Sequence, residues 1–363
     1  MSAEFEEKPR LDTGRHVTVL RRERGPLPEG HPEIPTAKTG VLLVNLGTPD
    51  GYDKKNMRRY LKEFLSDHRV IELPKLLWYP ILHGVILNVR PKKSGAAYET
   101  IWDKERDESP LRTISRSQAE LLAERLEDKQ HVLVEWALRY GNPPIAEKLQ
   151  ALHEQGCDRI VIFPLYPQYS ATTTASVNDK AFETLMEMRW MPAVRTVPPY
   201  HDDPAYIAAL ATSIRQQIEA LDFEPEKIIA SYHGIPVSYF EKGDPYHCHC
   251  HKTTRLLREH LGWSEDRLLT CFQSRFGPQE WLQSYTDQTV EQLAQDGVRR
   301  IAVFNPGFVA DCLETLEEIA VEVRDLFLES GGERFAHLRC LNDTPEGMDV
   351  LETVVRRELA GWV

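Results

Sequence analysis

Short runs of aliphatic and β-branched residues recur along the chain, each closed by a Gly, Pro or polar turn and followed by a helix-period pattern. They are GVLLVNLGTPD, HVLVEWALRYGNPP, RIVIFPLYPQYS, KIIASYHGIP and RRIAVFNPGF. Strands that are apolar on both sides and alternate with helices belong in parallel sheets covered on both faces, so the predicted class is α/β. No short-period repeat is present, and two similar sheets in tandem accommodate the five runs. The 363 residues exceed the roughly 250 to 300 that one core fills, which predicts two domains. The proline-rich WMPAVRTVPPYHDDP near 190–205 reads as the passage between them.

The pattern after FNPGFVAD predicts an α-helix with Leu313, Leu316, Ala320, Val323 and Phe327 on a buried stripe. Another face carries Glu314, Glu318 and Glu322 at i, i+4 and i+8. Like charges at that spacing cost roughly 0.2 to 0.5 kcal/mol per pair, and no Lys or Arg is interleaved among them. A solvated acidic face eased by the helix dipole explains the ladder, and so does a cation held along it. At the other end of the chain, residues 1–39 carry Glu4, Glu6 and Glu7, then RRER, then a proline-rich stretch from Pro26 to Pro35. Without the apolar core of a signal peptide, they read as a flexible extension. The most apolar run, LLWYPILHGVILNV at 76–89, contains Pro80 and His83 and falls short of the roughly 18 residues that span a bilayer.

Composition narrows the classes. Hydrophobic residues at 41% and charged residues at 28% support a packed interior. A net charge of −12 argues against a duplex nucleic-acid binder, which must neutralise phosphates with Lys and Arg. The 6 cysteines include no C-x-x-C pair and do not form a secreted disulfide framework, so a reducing cytoplasm is expected. No turn reads G-x-G-x-x-G, which leaves no place for a dinucleotide.

In open α/β sheets, ligands sit beyond the carboxyl ends of the strands. The residues there are Asn45, Arg139 with Tyr140, Tyr166, His233 and the loop running to Asp311 and Glu314. Gly234 and Pro236 force a turn directly after His233, which points its imidazole into the crevice. Imidazole titrates nearest neutrality and is a common metal ligand. Arg139 and Tyr140 pair a permanent cation with a phenol, a combination suited to a carboxylate-bearing aromatic ligand. Arg90, Lys92 and Lys93 follow the apolar run as the rim of a wall around a flat apolar molecule with anionic groups would, and a buried helix explains that run equally well. The crowded His247, Cys248, His249, Cys250 and His251 lack a second ligand pair elsewhere, whereas a structural zinc site takes four ligands. They lead into KTTRLLREHLGW, with Leu256, Leu257 and Leu261 on one side, and read as a polar helix entry.

Together LLVNLGTP, YPQYS, YHGIP with KGDPY, QSRFGPQEWL and CLETLEE resemble the ferrochelatase family, whose members insert ferrous iron into a porphyrin to make heme. The likeness runs from about residue 40 to the C-terminus in the family's order. It implies two Rossmann-like domains with parallel four-stranded sheets, over 40–195 and 200–345, a cleft between them, and a last helix at about 346–363 packed back on the first. By position, His233 matches the family's active-site histidine and Glu314 its partner glutamate, the catalytic and metal-binding pair taken to face each other across the porphyrin. Glu318 and Glu322 match an acidic path for protons or metal. Asn45, Tyr98, Arg139, Tyr140, Tyr166 and Trp281 match positions that line or close the pocket.

The chain departs from the family in places. Ala171 stands in YPQYSATTTAS where cluster-bearing members have a cysteine, and no cysteine-rich tail precedes Val363, so no iron–sulfur cluster or other cofactor is expected. Cys312 stands where some relatives carry a histidine, and no role passes to it. Leu46 replaces the tyrosine of relatives acting on coproporphyrin, which implies protoporphyrin IX as the substrate alongside Fe2+. Coproporphyrin III, or a porphyrin carrier without catalysis, is the alternative. The expected protein is a cytoplasmic monomer that meets a membrane peripherally through residues 76–89.

Overall fold

The computed structural model describes Gly30 and residues 37–363, and the extension expected over 1–39 falls almost wholly outside them. Strands β1 (Lys38–Gly47), β2 (Val132–Tyr140), β3 (Cys157–Pro164) and β4 (Ala193–Thr196) form one sheet in the order β2-β1-β3-β4. Strands β5 (Lys227–His233), β6 (Leu268–Gln273), β7 (Arg300–Phe304) and β8 (Arg334–Leu338) form a second in the order β6-β5-β7-β8. Every pairing is parallel. The five apolar runs became β1, β2, β3, β5 and β7. The strands β4 and β8 are edges of 4 and 5 residues with half-exposed Arg195 and exposed Arg334, too short and too polar to register as buried strands.

Alternate residues of each strand feed different layers, as the pleat requires. Leu42, Val44, Ile160 and Ile162 pack under Leu149, Leu152, Val177 and Leu185 on one face of the first sheet. Val41, Leu43, Val161 and Phe163 face the other way, into a cluster that also holds Ile228, Ala230, Ala302 and Phe304 of the second sheet. The largest apolar core therefore runs from one sheet to the other. The last helix, Pro345–Leu359, contributes Val350, Leu351, Val354 and Val355 to it and packs against the helices Pro110–Arg125 and Pro204–Glu219. Arg356 holds Asp128 at 2.8 Å and Arg125 holds Asp349 at 2.5 Å, which clamps this helix to the Pro110–Arg125 side.

The helix expected after FNPGFVAD is a π-helix, Glu314–Val323, that continues as an α-helix, Arg324–Glu329. Its i→i+5 hydrogen bonds lengthen each turn beyond 3.6 residues, so a buried face recurs every four residues. Thr315, Ile319, Val323 and Phe327 form that face. The predicted stripe was right at Val323 and Phe327 and wrong at Leu313, Leu316 and Ala320, which are only half-buried. Among the described residues, no helix is long and apolar enough to cross a membrane.

Candidate active site

His233 is the last residue of β5 and pairs in register with Gln273, the last of β6. Its half-buried ring places Nδ1 2.7 Å from the Gly234 carbonyl oxygen. Gly234 has no room for a side chain, because a Cβ would lie 2.9 Å from the Gln273 carbonyl oxygen and 3.2 Å from the Trp281 ring. Trp281 is buried, donates Nε1–H to the Phe276 carbonyl at 3.1 Å and stacks obliquely on Phe276 at 5.0 Å. Arg90, on the helix Leu87–Ile101, lies over the exposed Phe276 ring at 5.7 Å. A rim residue from the first half of the chain thus meets a loop from the second.

Glu314 opens the π-helix and Glu318 follows it. Ser274, at a left-handed φ of 61°, donates its hydroxyl to Glu318 Oε2, and Gln273 Nε2 donates to the same oxygen at 3.2 Å. Burial raises the Glu318 carboxyl above its ordinary value; the Ser274 hydrogen bond and the His233 charge oppose the rise, and Glu314 adds to it. His233, Glu314 and Glu318 therefore act on one electrostatic neighbourhood. Glu322 lies exposed further along. Glu317 joins the ladder although the spacing did not reveal it: burial, then Glu322 and Glu318, raises its carboxyl, and Lys93 pulls it down. The charge of Glu314 acts on tyrosines in the other half of the chain. Burial and Glu314 hold the Tyr98 hydroxyl well above its ordinary value, and burial, Tyr98 and Glu314 do the same to Tyr60.

The remaining expected site residues divide. Asn45 is buried, with Nδ2 donating to Ser115 Oγ at 3.2 Å and Oδ1 accepting from the Leu46 N–H at 2.9 Å. The Tyr166 hydroxyl is buried with no partner among the described residues, and Tyr140 and Arg139 lie close enough to act on it. Arg139 and Tyr140 are paired within the chain. Arg139 Nη2 contacts Asp67 Oδ2 at 2.6 Å, and the Tyr140 hydroxyl donates to the same oxygen at 2.7 Å. Arg139 Nε also donates to Ser176 Oγ at 2.7 Å. A buried guanidinium left unpaired is costly, and the chain supplies its own carboxylate.

The loops of the two halves interlock around this region. Asp244 accepts from Ser170 Oγ at 3.0 Å and from the Ala171 N–H at 2.7 Å. His249 Nδ1 accepts from the Tyr169 N–H at 3.2 Å, and its ring stacks on His201 at 3.7 Å. The crowded histidines and cysteines lie in the first turns of the helix Tyr246–Leu261, with Cys250 buried and Cys248 exposed. Among the described residues, no three His, Cys, Asp or Glu side chains are grouped to hold a metal ion.

The family model for ferrochelatase matches residues 38–359. The chain belongs to the ferrochelatase family. It is accordingly a metal chelatase, a lyase that inserts metal into a porphyrin in heme synthesis. The ferrochelatase of Agrobacterium fabrum is 65% identical over 344 residues, covering 95% of this chain and 100% of that relative. The ferrochelatase of Rhizobium meliloti is 66% identical over 333 residues, covering 92% and 98%. Among solved structures, SirB from Bacillus subtilis with Fe3+ superposes with a TM-score of 0.55 at 13% identity, covering 90% of the enzyme and 97% of SirB, a likeness of fold.

Proposed function

We propose that the enzyme inserts ferrous iron into protoporphyrin IX to form protoheme, with His233 and Glu314 as the groups that meet the metal and the pyrrole protons. The observation that carries this reading is the strand-end His233 sharing one electrostatic neighbourhood with Glu314 and Glu318, while Glu314 also acts on Tyr98 and Tyr60 of the opposite half. Metallation removes two pyrrole protons and strips water from Fe2+. An imidazole accepts a proton or takes a place on the metal, the carboxylate of Glu314 does the other, and both pyrrole protons pass on by way of Glu318 and Glu322 to solvent. Glu318 and the exposed Glu322 extend the carboxylates towards solvent, where protons leave or iron enters. A pocket fitted to a buckled macrocycle favours the transition state over the flat substrate, and strain of about 1 to 5 kcal/mol is drawn from contacts remote from the nitrogens.

Leu46 favours protoporphyrin. It is partly buried in the apolar cluster of Tyr60, Tyr98, Tyr140 and Leu313, where a coproporphyrin propionate would find no donor from that side chain. Turnover of the two porphyrins side by side tests the assignment: protoporphyrin IX is expected to give the higher kcat/KM, and preference for coproporphyrin III would overturn it. A Soret shift without metalloporphyrin would instead mark a carrier.

Exposed Leu76, Leu77, Val85 and Val89 support peripheral membrane contact through residues 76–89 by a cytoplasmic monomer. Co-sedimentation with vesicles that Leu76→Ser and Leu77→Ser together abolish is the expected result.

A further inference from the structure

We infer that Gln273 is a positioning residue whose side-chain amide, locked in one orientation from behind, aims the Glu318 carboxylate and the first turn of the π-helix. The inference rests on the proposed role of Glu318 in the path of iron or protons.

The orientation follows from a chain of fixed donors and acceptors. The Ser231 backbone carbonyl can only accept, and it receives Asn305 Nδ2–H at 3.0 Å. That fixes the Asn305 amide, whose Nδ2 also donates to Gln273 Oε1 at 2.6 Å. The Ser231 hydroxyl donates to the same oxygen at 2.8 Å and shares a second hydrogen bond with Thr286 Oγ1 at 2.8 Å. Ser231, Thr286, Asn305 and Gln273 are all buried. With its oxygen held by two donors, Gln273 must turn Nε2 towards the π-helix. There it donates to the Glu314 carbonyl oxygen at 2.9 Å and to Glu318 Oε2 at 3.2 Å. One side chain at the end of β6 thus links Ser231 of β5 and Asn305, just past β7, to the Glu314 backbone and the Glu318 carboxylate. Without it, a carboxylate beside the like-charged Glu314 would lose one of its two donors, Ser274 being the other. Partners behind a metal-handling group typically matter by 10- to 100-fold.

The test compares three variants of the full chain in steady-state insertion with Fe2+ and porphyrin varied separately. Gln273→Glu keeps shape and an accepting oxygen for Ser231 and Asn305 but places oxygen where Nε2 donated. Gln273→Met keeps packing alone. Ser231→Ala frees the amide from behind and touches neither glutamate. The expected result is a KM for iron raised roughly 10- to 100-fold in Gln273→Glu. A smaller rise is expected in Gln273→Met and a smaller one still in Ser231→Ala, with the porphyrin KM within about 2-fold of wild type throughout. An unchanged iron KM in folded Gln273→Glu, or a Met variant worse than the Glu variant, would assign Gln273 to packing and overturn the inference. If Gln273→Glu does not fold, Ser231→Ala decides, and an unchanged iron KM there overturns it. Normal wild-type insertion with Glu318→Gln kinetically silent would sink the role of Glu318 itself.

Discussion

Asp67 pairs with the Arg139 guanidinium at the end of β2. Its carboxyl is pushed up by burial, but the Ser176 hydrogen bond and the Arg139 charge outweigh that and hold it below the usual range. Arg139 also lies over the Tyr140 ring at 4.5 Å, so the pair at the strand end is one closed polar unit. Asp67→Asn should strand a mostly buried guanidinium and cost about 3 to 5 kcal/mol, read by denaturant unfolding. A change under about 1 kcal/mol would mean that water or a ligand serves Arg139 instead. The opposite expectation holds for Cys248 and Cys250, whose joint replacement by Ser should leave iron insertion within a few-fold of wild type. Stoichiometric zinc lost together with activity would contradict it.

At the scale of elements, the π-helix is where the sequence was least legible. Apolar residues from 313 to 327 fit a 3.6 period well enough to suggest an α-helix, and nothing in the local pattern reports i→i+5 bonding. The acidic ladder was legible because a four-residue spacing keeps one face in either helix. Gln273 and Ser274, which hold Glu318, lie inside QSRFGPQEWL, but amides and hydroxyls carry no signal of their geometry. Glu318 makes this element testable. Its folded pKa is raised, so its contribution favours folding at low pH and is lost as pH rises from about 4.5 through the folded value. Glu318→Gln should remove that loss and leave the protein as stable or more so at neutral pH while slowing insertion. An earlier melt with normal turnover would make the ladder a structural face. Glu322→Gln, at an exposed position, should change stability by no more than about 0.5 kcal/mol.

Across the whole molecule, the alternation of apolar strands and helices was enough to foresee parallel sheet covered on both faces, because doubly covered strands carry a strong apolar signal, while the division into two sheets rested on chain length and on the family likeness. The continuity of the core between the sheets was not readable, since any apolar residue serves either layer equally. The joint between the halves carries its own titration. His201 is buried with Nδ1 unpartnered among the described residues, and burial followed by its stacked neighbour His249 lowers its pKa to about 4. A depressed histidine favours folding above its unfolded value, near 6.5, and that contribution is lost as pH falls towards 4. His201→Phe retains the stack without the proton and should flatten this acid limb, by an amount on the order of 3 kcal/mol between those pH values. Equal pH dependence in the two proteins would place the acid sensitivity elsewhere.

The assignment of His233, rather than the crowded cluster downstream, is tested most directly by one variant. His233→Ala is titrated with protoporphyrin IX and then supplied with Fe2+, with absorbance followed throughout. The expected result is retained porphyrin binding with insertion lowered by about 10² to 10⁴, the usual loss on removing a positioned proton acceptor. Turnover above roughly a tenth of wild type would contradict it.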